Sequence, residues 1–177
     1  MKDILEKAAK IKLLVFDVDG VLTDGSLIVG DDGEEYKAFY SKDGLGMKML
    51  QNTGVKIAVI TARTSNVVIY RMQSLGIKHI YQGQLDKLPA FLEILNELGI
   101  SSEQAAYVGD DVIDLPVMLK AGLALTVQDA HPLAIQHAHW QTPRNGGRGA
   151  ARDVCELIMQ AQGTLESQFN KYLTSND

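Results

Sequence analysis

Five strand-length runs of apolar residues, separated by segments of helical periodicity, constrain this chain more than any other feature of its sequence. Leu13 to Phe16, Lys56 to Ile60, His79 to Tyr81, Ala105 to Val108 and Leu123 to Val127 are nearly continuous in apolar residues rather than alternating. That is the pattern of strands covered on both faces and paired in parallel. Between them Val68, Met72 and Leu75, then Phe91, Leu92, Leu95 and Leu98, repeat at the helical period, with Gly54, Gly76 and Gly99 where helix C-caps fall. The expected architecture is a three-layer, Rossmann-like α/β fold with a central parallel sheet and right-handed crossovers. Such folds bind ligands beyond the carboxyl ends of their strands, so function is expected just after each run.

One segment breaks the alternation. Ser26 to Val29 and Glu34 to Tyr40 flank Gly30-Asp31-Asp32-Gly33, which reads as a β-hairpin about a Gly- and Asp-rich turn, a flap over about 25–41. Val154, Leu157, Ile158 and Ala161 mark a last amphipathic helix, followed by a polar tail over about 164–177. With 177 residues and no repeat or flexible linker, residues 1–177 are expected to form one domain. The 17 basic against 22 acidic residues leave a formal charge of -5, which removes nucleic acid and anionic lipid as default partners. No apolar run approaches the roughly 20 residues that span a bilayer, and Met1 to Lys12 does not read as a secretory signal. A single cysteine, Cys155, cannot form an intramolecular disulfide, and a reducing, cytoplasmic setting is expected.

The strand ends carry the chemistry. The first run delivers Asp17-Val18-Asp19-Gly20, two carboxylates leaving a buried strand together. Crowded buried carboxylates either hold a proton or recruit a cation, and an oxygen-rich site of this kind suits Mg²⁺. A solvated Asx turn is the plain alternative; a calcium loop does not fit, since the position that should carry its bidentate Glu is Ile28. The second run ends at Thr61-Ala62-Arg63, a hydroxyl and a guanidinium at one rim, although Thr61 alone would read as a helix N-cap. Lys87 follows the third run where a helix begins, an unfavourable place for a cation unless an anion sits there too. The fourth run delivers Asp110, Asp111 and Asp114, more carboxylates than capping needs. Lys42, Arg63 and Arg71 make a basic rim in an acidic protein, as for an anionic substrate. His131, His137 and His139, interrupted by Pro132, read as structural or surface residues rather than metal ligands.

In this order, Asp-x-Asp, Thr, Lys and an acidic cluster, the chain resembles the haloacid dehalogenase superfamily of phosphohydrolases. The resemblance implies that Asp17 attacks phosphorus to form an aspartyl-phosphate. It implies that Asp19 protonates the leaving oxygen and later activates water. Mg²⁺ would be held by the side chains of Asp17 and Asp110 and the main-chain carbonyl of Asp19, with Asp111 and Asp114 orienting metal waters and Lys87. Thr61 would donate to a transferring oxygen and Lys87 would add positive charge.

Larger members cover the site with an inserted cap domain, for which neither 24–44 nor 63–87 has room. The strings Gly30 to Glu35, Tyr40 to Gly44, Asp129 to Pro132 and Gly146 to Ala150 are similar to those of the capless branch of 3-deoxy-D-manno-octulosonate 8-phosphate phosphatases, from about Ile11 to Gly163. That branch implies a phosphorylated sugar acid as substrate, contacted by Asp19, Tyr40, Ser41, Lys42, Asp43, Gly44, Arg63, Arg71, Lys87 and Asp111. It also implies a homotetramer in which the hairpins, with Leu27, Val29, Tyr36, Phe39 and Tyr40 on their faces, pack together, and a role in lipopolysaccharide precursor synthesis. Three alternatives stay open: a phosphatase for nine-carbon sugar-acid phosphates or for a broad set of small molecules, a receiver-like signalling module, and a regulatory subunit acting through its hairpin. A receiver separates its acidic pair and its phosphoacceptor onto different strands, whereas Asp17 and Asp19 share one.

Overall fold

The computed structural model describes residues 1–173. Helix α1 (Lys2–Ala8) leads into β1 (Leu13–Phe16), and the hairpin strands β2 (Ile28–Val29) and β3 (Glu35–Tyr36) precede α2 (Ser41–Gln51). The alternation then runs β4 (Lys56–Ile60), α3 (Asn66–Ser74), β5 (His79–Tyr81), α4 (Leu88–Leu98), β6 (Ala105–Val108), α5 (Leu115–Met118), β7 (Leu123–Thr126), α6 (Pro132–His137) and β8 (Trp140–Gln141), and α7 (Ala150–Ala161) and α8 (Leu165–Leu173) close the chain.

The sheet is parallel throughout, in the order β5-β4-β1-β6-β7-β8. β1 lies inside it, bonded to β4 on one side and β6 on the other, and all its residues are buried, as are those of β6 and β7. This is why those runs are apolar without alternation. Chain connections step outward from β1 through β4 to β5, then return across the sheet to β6. Right-handed crossovers put helices of the outward and return steps on opposite faces. Accordingly α2 packs on α7, while α4 packs on α5. No helix of the described residues is long and apolar enough to cross a membrane.

Several elements differ from the sequence reading, each for a physical reason. β5 is half-buried rather than covered on both faces, because it is the sheet's edge. The last run stops pairing at Thr126, although Val127 is buried too. β8 is only two residues long and carries no run to recognise. α2 was hidden by its two glycines, Gly44 and Gly46, which sit where neighbouring chain packs too close for a side chain: an added Cβ would stand 2.4 Å from Arg71 Nη2 and 2.6 Å from Arg152 Cδ. The polar tail forms α8, which lays Phe169 against the core with the Arg152 guanidinium 6.0 Å from its ring centroid. Residues 174–177 of that tail lie outside the described residues.

Candidate active site

The pairing of Phe16 with Val108 brings the ends of β1 and β6 side by side. Asp17 and Asp110 therefore leave adjacent strands at the same rim, with Thr61 at the end of β4 beside them. The turn after β1 needs Gly20, whose φ is +90° and whose missing Cβ would stand 2.1 Å from Asp110 Oδ2. Any side chain there would displace the carboxylate. On the other side, Gly146 leaves room for the Gly20 carbonyl, 1.7 Å from where a Cβ would stand, and its N–H donates to Asp129 Oδ1 at 3.0 Å. The His131 N–H donates to the Asp110 carbonyl at 2.8 Å. The strings around 129–132 and 146–150 thus brace the two acidic turns.

Asp17 is buried, and its Oδ1 accepts from the Val18 N–H at 2.7 Å and from Lys87 Nζ at 2.9 Å. Lys87, whose side chain is 0% exposed, also reaches Asp114 Oδ1 at 2.7 Å. Burial pulls the Lys87 pKa down, but Asp17 and Asp114 outweigh it and hold the pKa above the ordinary lysine value. Asp114 is fully saturated: besides Lys87, its Oδ1 accepts from the Tyr107 hydroxyl at 2.6 Å, and its Oδ2 from the N–H groups of Asp110 at 3.0 Å and Asp111 at 3.1 Å. Burial, and then repulsion from Asp114, push Tyr107 well above the usual tyrosine pKa, so its hydroxyl keeps its proton and donates.

Burial raises Asp17 to about 7, with Asp114 adding to the shift, and raises Asp110 to about 8, with Asp17 and Asp114 adding to it. Asp110 Oδ1 and Asp19 Oδ2 are buried without a hydrogen-bond partner among the described residues. Carboxylate oxygens of Asp17, Asp110 and Asp114 lie within 4.8 Å of one another. Asp114 already uses both oxygens, so Asp17 and Asp110 are the pair left with capacity. Unpaired, crowded, all-oxygen donors with elevated pKa values fit a hard divalent cation such as Mg²⁺.

Asp17, Lys87 and Asp110 line a cavity of about 180 Å³ that also takes in Asp19, Thr61, Arg63 and Asp111. Thr61 is buried, its Oγ1 accepting from the Arg63 N–H at 3.4 Å. Asp111 is exposed and caps the short 3-10 turn Val112–Asp114, accepting from the Val112 N–H at 2.7 Å. The remaining expected substrate contacts do not line this cavity. Tyr40 to Gly44 enter α2, with Lys42 Nζ 5.8 Å from the Tyr40 ring centroid. Asp43 is buried, and burial raises its pKa. Its carboxylate accepts from the Arg152 N–H at 2.9 Å and from the Gly149 N–H, capping α7, whose own N-cap residue Gly149 has no side chain. Arg71 lies against Gly44, its guanidinium 6.0 Å from the Phe39 ring centroid. His131 caps α6 and His139 accepts from the Ala124 N–H at 2.8 Å; neither belongs to the acidic cluster.

Sequence reasoning missed three residues at the site. Tyr107 looked like one more apolar strand residue. Lys37 and Glu35 were given no role at the site, yet Lys37 contacts Asp19 and sits 2.9 Å from Glu35 Oε1, with its side chain 1% exposed. Only the path of the hairpin back over Asp19 could reveal them.

Known proteins are similar to this chain in sequence and in fold. A family model described as haloacid dehalogenase-like hydrolase matches residues 78–152. The 3-deoxy-D-manno-octulosonate 8-phosphate phosphatase KdsC of Escherichia coli (strain K12) is 50% identical over 164 residues, 93% of this chain and 87% of the relative. The chain belongs to the haloacid dehalogenase superfamily. Within it, the chain falls in the capless KdsC branch. The crystal structure of 3-deoxy-D-manno-octulosonate 8-phosphate phosphatase from Moraxella catarrhalis, in complex with magnesium ion, phosphate ion and KDO molecule, matches at a TM-score of 0.96 and 42% identity, covering 97% of this chain and 99% of that one. The structure of the phosphatase from Yersinia pestis matches at a TM-score of 0.92 and 49% identity, covering 93% of this chain and 89% of that one.

Proposed function

We propose that this protein is a Mg²⁺-dependent phosphatase that hydrolyses 3-deoxy-D-manno-octulosonate 8-phosphate to the free sugar acid and phosphate. The observation that carries the reading is the convergence of Asp17, Asp110 and the buried Lys87 on one cavity. The identity to phosphatases named for this substrate supports the choice of ester.

A phosphate monoester dianion repels nucleophiles, so charge must be neutralised while an attacking oxygen is held in line. Lys87 holds Asp17 Oδ1 and restrains the carboxylate, leaving Oδ2 to attack phosphorus. The phosphoryl group passes to Asp17 as the ester P–O bond breaks, and the leaving alkoxide takes its proton from Asp19. Asp19 then removes a proton from the water that attacks the phosphorus of the aspartyl-phosphate, freeing phosphate and regenerating Asp17. Thr61 donates its hydroxyl to a transferring oxygen, and Lys87 offsets the charge developing there. Asp114 and Tyr107 keep Lys87 in place. Asp17, Asp110 and the Asp19 carbonyl would hold Mg²⁺, which would supply the positive charge that lets the two anions approach and would polarise the phosphoryl group.

The hairpin exposes Leu27, Ile28, Val29 and Tyr36, each at least half accessible. Such a patch on a two-stranded ribbon supports burial against copies of itself, and the reading is a homotetramer. Light scattering giving a monomer mass at micromolar concentration would remove that part. The buried free thiol of Cys155 accords with a cytoplasmic enzyme.

The deciding experiment measures phosphate release with Mg²⁺ from a panel of sugar phosphates. The eight-carbon sugar-acid ester is expected to give the highest kcat/KM, and a preference for neutral sugar phosphates would overturn the substrate.

A further inference from the structure

The hairpin does more than pass over the site. Lys37, next to the end of β3, contacts Asp19, and its ammonium lies 2.9 Å from Glu35 Oε1. The same Glu35 oxygen is 3.3 Å from Arg63 Nη2, and Arg63 lines the catalytic cavity. One carboxylate oxygen is thus gripped by two cations at the mouth of the phosphate site. Hairpin ion pairs are ordinarily wet and worth little, but Lys37 is 1% exposed. A strongly hydrated ammonium is costly to bury, and such a placement calls for anions on its far side.

Arg63 lines the catalytic cavity, and Lys37 contacts Asp19, which lines it too. A substrate anion that reaches either cation competes with Glu35 for it. With Glu35 displaced, Arg63 loses this partner and Lys37 keeps Asp19.

We propose that Glu35 is an internal stand-in for the substrate's own carboxylate, and that Lys37, together with Arg63, reads that carboxylate once Glu35 is displaced. The inference rests on the sugar-acid reading above and extends it to two residues of the hairpin. Lys37 becomes the residue that separates sugar-acid phosphates from neutral ones, because only a substrate carrying a second anion replaces what opening the clasp removes. An ester without that group offers nothing in exchange for Glu35.

The test compares kcat/KM for 3-deoxy-D-manno-octulosonate 8-phosphate with that for p-nitrophenyl phosphate, in the wild type and in Lys37→Met, Lys37→Arg and Glu35→Gln proteins. The measured quantity is the ratio of the two. A charge-assisted contact supports roughly ten- to a hundredfold discrimination. The ratio is expected to fall at least about tenfold in Lys37→Met, mainly through KM for the sugar acid, and to recover largely in Lys37→Arg. Glu35→Gln, close in shape to the original, is expected to lower KM for the sugar acid several-fold by removing the competitor. An equal loss on both esters in Lys37→Met, or a raised sugar-acid KM in Glu35→Gln, would overturn the proposal. A wild-type ratio near one would instead bring down the substrate assignment and this inference with it. A normal wild-type ratio that Lys37→Met leaves unchanged would overturn the inference alone.

Discussion

The strand tips and the hairpin both hold ion pairs, and they are built in different ways. At the tips Lys87 is enclosed by Asp17 and Asp114, and Asp114 accepts from Lys87, Tyr107 and two backbone N–H groups. Every donor there comes from the sheet or the turns beside it, and nothing can move without unpairing a buried charge. On the hairpin, β2 and β3 pair over only two residues each, their apolar side chains face outward, and the attachment to the site is the Lys37, Glu35 and Arg63 clasp. The difference fits a division of labour: on the readings proposed above, the tips fix the geometry of the reaction and the hairpin tells one substrate from another. The two regions meet at Asp19 and Arg63.

The comparison is broken most severely at Asp17. Asp17→Asn keeps the shape but removes the nucleophile, and kcat is expected to fall by more than about a thousandfold, with the fold intact by circular dichroism. Normal phosphate release from that protein would end the nucleophile assignment. Asp114→Ala comes next, because it leaves Lys87 and Tyr107 buried without their shared acceptor. The loss should be about 3–5 kcal/mol in urea unfolding, as for other broken buried pairs; a loss under about 1 kcal/mol would mean that the tips are not the rigid region.

Protons and metal compete at the tips. Asp17 and Asp110 move from 3.8 to about 7 and about 8 on folding without a cation. Between those values the unfolded chain has already released protons that the folded protein retains. The metal-free protein therefore loses stability as pH climbs from about 4 to about 8. Mg²⁺ is expected to raise Tm more at pH 8.5 than at pH 5.5, and chelation to stop turnover. A Tm increment independent of pH would contradict the elevated carboxylates.

Asp43→Ala removes the cap of α7 and should cost about 1–2 kcal/mol. If stability is unchanged while the KM for substrate rises, Asp43 belongs to the binding site instead. The smallest effect is expected on the hairpin turn, where Asp32 Oδ1 accepts from the Glu34 N–H at 3.0 Å in an exposed loop. Asp32→Ala should shift Tm by no more than about 2 °C, and a larger drop would show the hairpin to be part of the folding core.

The sequence made the tips legible because their two signals coincide: continuous apolar strands, and polar or charged residues placed soon after them. Asp17, Asp19, Thr61, Lys87, Asp110 and Asp111 were all visible in this way, and one cavity gathers them. What stayed hidden depends on contacts distant in sequence. Asp43 reads as a substrate residue until the backbone of α7, 109 positions away, is found on its carboxylate. Lys37 is a charge on a ribbon until the ribbon folds over Asp19, 18 positions before it. Tyr107 differs from its neighbours by one hydroxyl, whose acceptor appears only when Asp114 turns back beneath the strand.

The most direct test of the central claim is the stereochemical course at phosphorus, read by hydrolysing an ester made chiral with oxygen isotopes. Transfer through an Asp17 carboxylate involves two in-line displacements and predicts net retention of configuration. Net inversion would mean a single direct attack by water, and the aspartyl-phosphate account would be wrong.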